Sequence, residues 1–513
     1  MNLKDLMLGL DAPYLIDPPS GKLSGISIHH VTSDSRAVTS ASLFVAITGL
    51  SADGHHYLSE VVRKGVPAVV VERKQKMPEN VVQIQVADSR LALARLSAAF
   101  HGYPSREMCV VGVTGTNGKT TSTYLLESVF GARHLTCGVL GTINYRYLGH
   151  RFQTSHTTPE PTRFQAILRE MKDHGITHVV AEVSSHGLAL KRVDGTDFDV
   201  ALFTNLTQDH LDFHKDWEEY YHAKKRLFTE ILPASRKKNK ISVINIDDPY
   251  GSRLYPEIRQ GLVLTYALSD PGADIYAERA DYSLEGMSAT LRTSKGVIEI
   301  ESQLMGQHNL SNILGVTAVA LALDIPLETI EKGISDLKSV PGRFERVDAG
   351  HSFLTLVDYA HTPDALQNAG QALLKFKREK RMDRLITVFG CGGDRDRTKR
   401  PLMAKAAAAF SDVVIVTSDN PRTEDPERII ENIIAGLKEI SFPVYSEQKK
   451  RGYMIQVDRK SAIAKAIELA GPTDAVLIAG KGHEDYQIVG QTKIHFDDRE
   501  EARQAICLQL KKS

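Results

Sequence analysis

Short apolar runs separated by polar or glycine-bearing breaks set the pattern of this chain. Residues 43–47 and 68–71 are two such runs, each of a length that suits a buried strand. Residues 91–100 carry helical spacing, and His101-Gly102-Tyr103-Pro104-Ser105 interrupts it. A second segment opens with the apolar run 109–113, passes through Gly115-Thr116-Asn117-Gly118-Lys119-Thr120-Thr121, and continues into a helix-compatible stretch at 122–130. Further strands are predicted at 178–183, 200–204 and 241–245, with a helix at 216–228 between the last two. After the turn signal Val340-Pro341-Gly342-Arg343 the alternation restarts, with predicted strands at 353–357, 385–389, 413–417 and 475–479. Strands alternating with helices imply a mostly parallel sheet covered on both faces. The expected fold class is therefore α/β in three domains, at 1–105, 106–341 and 342–513. The last of these is Rossmann-like but has no G-x-G-x-x-G fingerprint. Its strands lead into Asp358, Gly390, Asp419 and Gly480, and ligands of open α/β sheets bind at such carboxyl ends.

Composition narrows the function classes. The chain has 513 residues, enough for about three domains. Lys plus Arg and Asp plus Glu both number 63, so a protein devoted to neutralising nucleic-acid phosphate is not expected. Cys109, Cys137, Cys391 and Cys507 form no C-x-x-C pair, which points to a reducing, cytoplasmic setting without structural zinc. Residues 1–7 include Lys4 and Asp5 and no apolar core, so no secretory signal is expected, and since no apolar run approaches the roughly 18 residues of a membrane span, neither is membrane insertion.

The strongest chemical signal is Gly115 to Thr121. A strand, a glycine-rich turn and a helix start aim backbone N–H groups and a positive dipole end at an anion. Lys119 can then reach the β and γ phosphates, and the Thr120 hydroxyl can join a Mg²⁺ shell. The general phosphate-loop pattern has glycine where this chain has Val113, and Thr114 to Thr121 is a variant of it.

That octapeptide begins a series of matches. It continues through Glu182-Val183-Ser184-Ser185-His186, Asn205 to Asp212, Ala223-Lys224 and Gly306-Gln307-His308-Asn309. Pro341-Gly342-Arg343, Asp358 to Pro363 and Gly480-Lys481-Gly482-His483-Glu484 complete it. In order and spacing the chain resembles the Mur ligases, the ATP-dependent family that builds the peptide stem of peptidoglycan. Ser33 to Arg36 and Asp419-Asn420-Pro421-Arg422 resemble the member that adds the third residue. The resemblance implies an ATP-dependent amide ligase that adds meso-diaminopimelate to UDP-N-acetylmuramoyl-L-alanyl-D-glutamate through an acyl phosphate. The partners are then small-molecule substrates, and a monomer is expected.

The resemblance also distributes roles. It gives ATP to Gly115 through Thr121, with His308 and Asn309 near the base and Arg343 and Asp358 reaching in from the domain border. It gives one Mg²⁺ to Thr120 and Glu182, and a second to His210 and Lys224, the latter as a carbamate. Lys119, Glu182, His210 and Lys224 are the catalytic set. Lys225 adjoins Lys224, and only the match at Ala223-Lys224 chooses between them. The uridine diphosphate acceptor falls to Ser33, Ser35, Leu50, Ser51, Ala52, Thr157, Thr158, Ser184 and Arg192. His156 and Leu190 stand where some members have Asn and Gln. The diaminopimelate falls to Arg395, Asp419, Asn420, Pro421, Arg422, Gly480 and Glu484. For Arg422 the alternative is a turn in which it pairs with Glu424 or Asp425. Two other functions compete: a lysine-adding relative, and a P-loop switch or motor NTPase. A GTPase switch would carry Asn-Lys-x-Asp, whereas Asn239-Lys240-Ile241-Ser242 lacks the Asp.

Overall fold

The computed structural model describes residues 1–10, 13–17, 23–49, 52–209, 213–379 and 381–511. Its architecture rests on three sheets, and alternation of side chains along each strand fills both faces. In the central sheet Val111, Val113, Val180, Val200 and Leu202 pack into one core, while Val110, Val179, Ala181, Ala201 and Phe203 pack into the other. That is the burial a doubly covered parallel sheet requires.

The N-terminal sheet has five strands in the order Tyr14–Asp17, Val82–Val86, Ala68–Val71, Ser42–Val45 and His30–Thr32. Only Tyr14–Asp17 is antiparallel to its neighbour. The helix Ser89–Phe100 begins at an Asp88 cap, whose carboxylate accepts from Leu91 N. Lys191 of the central region reaches the same carboxylate at 2.5 Å, tying the first sheet to the second.

The central sheet has eleven strands. Its parallel middle runs from Ile275–Ser283 to Cys137–Leu140, with Cys109–Thr114 paired between His178–Glu182 and Val200–Phe203. Antiparallel strands extend both edges: Gly286–Thr293 and Gly296–Ser302 on one, Tyr145–Tyr147 and His150–Phe152 on the other. The C-terminal sheet orders Glu345–Arg346, Leu354–Asp358, Ala475–Ala479, Leu385–Phe389, Val413–Val416 and Gly452–Ile455. A separate hairpin, Tyr486–Val489 with Thr492–His495, follows its third-listed strand. No described helix is long and apolar enough to cross a membrane.

The turn at 341–343 brings the second and third sheets together. Gly342 has φ +63°, and a Cβ there would lie 2.0 Å from His483 N, so the linker passes where only glycine fits. Asp358 pins the far side of this crossing: its carboxylate accepts from Phe344 N at 2.7 Å and Ala360 N at 2.8 Å. Asn117 then meets Asp364 at 3.1 Å across the gap. The carboxyl ends of the two parallel sheets therefore face a common space.

Candidate active site

The phosphate loop is built as its residues require. The strand Cys109–Thr114 ends in the loop, and the helix Lys119–Ala132 starts at Gly118. Gly118 has φ +88°, and a Cβ would lie 2.3 Å from Asn312 Oδ1. A residue with a side chain is disfavoured there by about 1–2 kcal/mol from the backbone alone. We expect Gly118→Ala to raise the KM for ATP by about tenfold or more. Initial rates against ATP concentration check this, and an unchanged KM would remove the loop from nucleotide binding.

A second loop staples the first. Asn205 Oδ1 accepts from Asn117 N at 2.8 Å, Thr204 Oγ1 donates to Asn117 O at 2.6 Å, and Thr116 Oγ1 meets Tyr220 Oη at 2.9 Å. Lys119 bends over the turn and donates to Gly115 O and Thr116 O, each at 2.8 Å. Lys224, on the helix Trp217–Arg226, donates to the same Gly115 carbonyl at 2.8 Å. It is 1% exposed, and its Nζ lies 4.7 Å from the Tyr220 ring centroid. Burial, reinforced by the Lys119 charge, holds Lys224 well below the ordinary lysine range. Lys225 turns the other way and pairs with Glu257. The two adjacent lysines thus differ completely in setting, which their local sequence does not reveal.

Glu182 ends its strand beside the loop and is 1% exposed. It accepts from Thr120 Oγ1 at 3.0 Å, Thr142 N at 2.9 Å and Thr142 Oγ1 at 2.8 Å. Arg343 Nη2 donates to Thr120 Oγ1 at 3.1 Å and stacks over Tyr359. A buried carboxylate and a hydroxyl at a phosphate loop are hard oxygen donors, and Mg²⁺ takes such donors together with phosphate oxygens. The first magnesium set therefore fits. Of the second set, His210 lies outside the described residues, and the described ones hold no cluster of three His, Cys, Asp or Glu. Asp209, which lines the same cavity, adds a negative charge that acts on both Lys119 and Lys224.

One cavity of about 680 Å³ spans these groups. Its floor is the phosphate loop from Thr116 to Thr120 with Glu182 and Lys224. One wall carries His156, Thr157, Thr158, Ser184, Leu190 and Arg192. There the Thr158 and Ser184 hydroxyls lie 3.1 Å apart, and Arg192 donates to Thr158 O at 2.9 Å while pairing with Glu160. The opposite wall comes from the third sheet and carries Arg343, Arg395, Asp419, Asn420, Arg422, Gly480 and Glu484.

Other candidates sit elsewhere. His308 packs edge-on to Phe344, and burial lowers its pKa to about 4. Asn309 is engaged with Met305 O at 2.9 Å. Neither they nor Asp358 is on the cavity wall, and Gly115, Thr121 and Pro421 do not line it either. Ser33, Ser35 and Ala52 lie in the N-terminal unit away from the cavity. There the Ser35 carbonyl accepts from Lys64 at 2.7 Å, and the Ala52 carbonyl from Gly49 N at 2.9 Å. Leu50 and Ser51 fall outside the described residues.

Arg422 does not form the local pairs its neighbours offer. Glu424 is taken by Arg400 at 2.8 Å and Arg397 at 3.1 Å. Among the described residues the Arg422 guanidinium meets no carboxylate, and its Nη1 donates to Gly393 O at 2.7 Å. Its backbone is left-handed, φ +53°, held by Arg422 N to Ile488 O at 3.1 Å and Gly490 N to Arg422 O at 2.8 Å. Strain of this kind in a non-glycine residue persists only where surrounding structure enforces it, commonly at binding sites.

Known proteins match the whole chain. Three domain families align with it: the Mur ligase family catalytic domain at 27–101, the Mur ligase middle domain at 113–320 and the Mur ligase glutamate ligase domain at 342–482. The UDP-N-acetylmuramoyl-L-alanyl-D-glutamate–2,6-diaminopimelate ligase of Geobacter metallireducens is 46% identical over 503 residues, covering 96% of this chain and 97% of that protein. The chain belongs to the Mur ligase family. A second such ligase, from Geobacter sulfurreducens, is 45% identical over 98% of both proteins. A solved ligase structure of the same name is 32% identical, with a TM-score of 0.68 over 96% of this chain and 97% of that one. MurF from Acinetobacter baumannii, at 18% identity and a TM-score of 0.62, shares the fold of this Mur ligase.

Sequence reading left three features of this Mur ligase site without a role. Thr142 contacts Glu182 from forty positions earlier in the chain, through both its N–H and its hydroxyl. Tyr220 joins the phosphate loop to the helix carrying Lys224. Lys481 lies inside the Gly480 to Glu484 run, but its burial and its contact with Asp419, sixty-two positions away, appear only in the fold.

Proposed function

We propose that this Mur ligase joins the amine of meso-diaminopimelate to the terminal carboxylate of UDP-N-acetylmuramoyl-L-alanyl-D-glutamate, with ATP becoming ADP and phosphate. The observation that carries the reading is a single cavity lined at one end by a phosphate loop and at the other by Arg422 and Glu484. Such a shape suits a reaction that must first activate a carboxylate and then meet an amine.

A carboxylate is a poor electrophile. Its oxygen attacks the γ-phosphorus, ADP leaves, and an acyl phosphate forms. The amine then attacks the acyl carbon, and phosphate departs from a tetrahedral intermediate. Lys119 and the loop N–H groups hold the phosphates, and Arg343 from the linker, bonded to Thr120, adds positive charge beside them. Mg²⁺ held by Thr120 and Glu182 would supply charge neutralisation for the phosphoryl oxygens. For the second ion we propose Lys224 as a carbamate together with His210. His308 and Asn309 with Asp358 are proposed for the nucleoside end, and Ser33, Ser35, Leu50, Ser51 and Ala52 for uridine diphosphate. Arg192, Thr157, Thr158, Ser184, His156 and Leu190 would border the acceptor's sugar and peptide.

A monomer is proposed as the working unit. Use of ATP supports a cytoplasmic site of action. The direct test measures ADP release with each substrate omitted in turn. A ligase releases ADP steadily only when acceptor and amino acid are both present. Equal release from ATP alone would return the chain to the switch or motor class.

A further inference from the structure

Lys481 follows Gly480 at the carboxyl end of the strand Ala475–Ala479 and is completely buried. Its ammonium donates to Asn420 Oδ1 at 3.0 Å, Asp419 Oδ1 at 3.2 Å and Glu484 Oε2 at 3.4 Å. All three acceptors line the end of the cavity assigned above to the amino acid. Asn420 Nδ2 donates to the same Glu484 Oε2 at 2.9 Å, and Ile488 N donates to Asn420 Oδ1 at 3.0 Å. The neighbours of Oδ1 are donors and the neighbour of Nδ2 is an acceptor, so the network orients the Asn420 amide. Both hydrogen bonds that Glu484 accepts fall on Oε2; among the described residues Oε1 makes none.

Two carboxylates in a dry site need a cation to remain ionised together. Burial opposes charge on Asp419, but Lys481 and Arg459 outweigh it and hold that carboxyl below its ordinary value. Burial and the Asp419 charge push Glu484 up, and Lys481 with the Asn420 amide pulls against them. Arg459 is itself committed to Asp498 at 2.7 Å and to Ala479 O at 3.0 Å. Among the described residues Lys481 is therefore the cation in direct contact with both carboxylates.

We propose that Lys481 is a positioning residue for amino-acid recognition. Its ammonium locks Asp419, Asn420 and Glu484 into one prearranged acceptor set and leaves Glu484 Oε1 to receive the ammonium at the far end of the amino acid. The proposal rests on the diaminopimelate reading and adds to it a residue that need not touch the substrate. Lys481 also forces the Gly480–Glu484 and Asp419–Arg422 segments to share one geometry, so the carboxylate-binding and ammonium-binding halves of the subsite are set together.

The test uses Lys481→Met in the full-length enzyme, with initial rates measured against each of the three substrates. Removing one partner of a buried charge network costs the remaining groups their compensation. The KM for diaminopimelate is expected to rise about 30-fold or more, with kcat and the KM values for ATP and acceptor within about threefold of wild type. A lysine that merely ties loops together would shift all the KM values and kcat alike, and that result overturns the proposal. A second variant, Lys481→Met/Glu484→Gln, removes one charge of each sign and gives a reading even if the single variant does not fold. Its KM for diaminopimelate should match that of Glu484→Gln within about threefold, because Lys481 acts through Glu484; independent, multiplying effects overturn the proposal. Wild-type preference for diaminopimelate over lysine is measured alongside. Loss of that preference removes the underlying reading, whereas its presence with an unmoved variant KM removes this inference alone.

Discussion

Arg422→Ala is expected to abolish the choice between diaminopimelate and lysine. The two amino acids differ at the far end, where diaminopimelate carries a carboxylate beside its ammonium. A guanidinium meets a carboxylate with two parallel hydrogen bonds. Arg422 lines the cavity, meets no carboxylate among the described residues, and sits on a left-handed backbone held by the hairpin. Its local alternative is closed, because Glu424 is engaged by Arg397 and Arg400. With lysine bound, the site would enclose a guanidinium without its anion. Sites built around such a contact reject the analogue lacking it by about 10⁴-fold. Wild-type kcat/KM should favour diaminopimelate by about that factor, and the alanine variant should lose it through a fall in the better substrate. Arg422→Lys keeps the charge but not the fork, so only part of the preference should return. Equal wild-type efficiency with the two amino acids, at saturating ATP and acceptor, would make the assignment wrong.

Lys224→Ala is expected to lower kcat by about 10²-fold or more, the scale of losing one well-placed electrostatic group. The lysine is enclosed, shares the Gly115 carbonyl with Lys119, and is held below its ordinary pKa by burial and by that neighbour. The ammonium first loses a proton; carbon dioxide then reacts with the neutral amine, an N–C bond forms and a second proton leaves, so that a cation becomes an anion. The product would face Lys119 as an opposite charge in place of a like one. Two readouts check this. A short carboxylic acid such as acetate should restore part of the lost rate in Lys224→Ala. Wild-type enzyme equilibrated with ¹³C-bicarbonate should show a carbamate carbon by NMR, absent in Lys224→Arg. Full activity of the alanine variant together with no carbamate signal would refute the modification.

What was legible in the sequence follows from range. The buried parallel strands are continuous apolar runs, so residues 109–113, 385–389 and 475–479 mark their strands to within a residue. The phosphate loop is equally local, since its glycine, lysine and threonine act through their own backbone turn. The strands Ile275–Ser283 and Gly286–Thr293, toward one end of the central sheet, mix charged and polar with apolar positions, so no run announces them. The hairpin Tyr486–Val489 with Thr492–His495 is hidden for the same reason, though it shapes Arg422. At the site, chemistry shared between distant positions is the part that local pattern does not contain. Glu182 and Thr142, Lys481 and Asp419, and Arg343 and Thr120 meet only after folding. The choice of Lys224 over Lys225 is a matter of which face of the helix Trp217–Arg226 turns inward, and its short, highly charged sequence leaves that open.

The central claim is that the acceptor's carboxylate is activated by transfer of the γ-phosphoryl group and is then captured by the amine. Acceptor labelled with ¹⁸O in both oxygens of the reacting D-glutamate carboxylate tests it in one turnover experiment with ATP and diaminopimelate. Attack of that carboxylate on phosphorus puts one labelled oxygen into the bridge of the acyl phosphate, and amide formation releases it with phosphorus. Mass analysis of inorganic phosphate should therefore find one ¹⁸O for each amide formed. Amide accompanied by unlabelled phosphate would contradict the account.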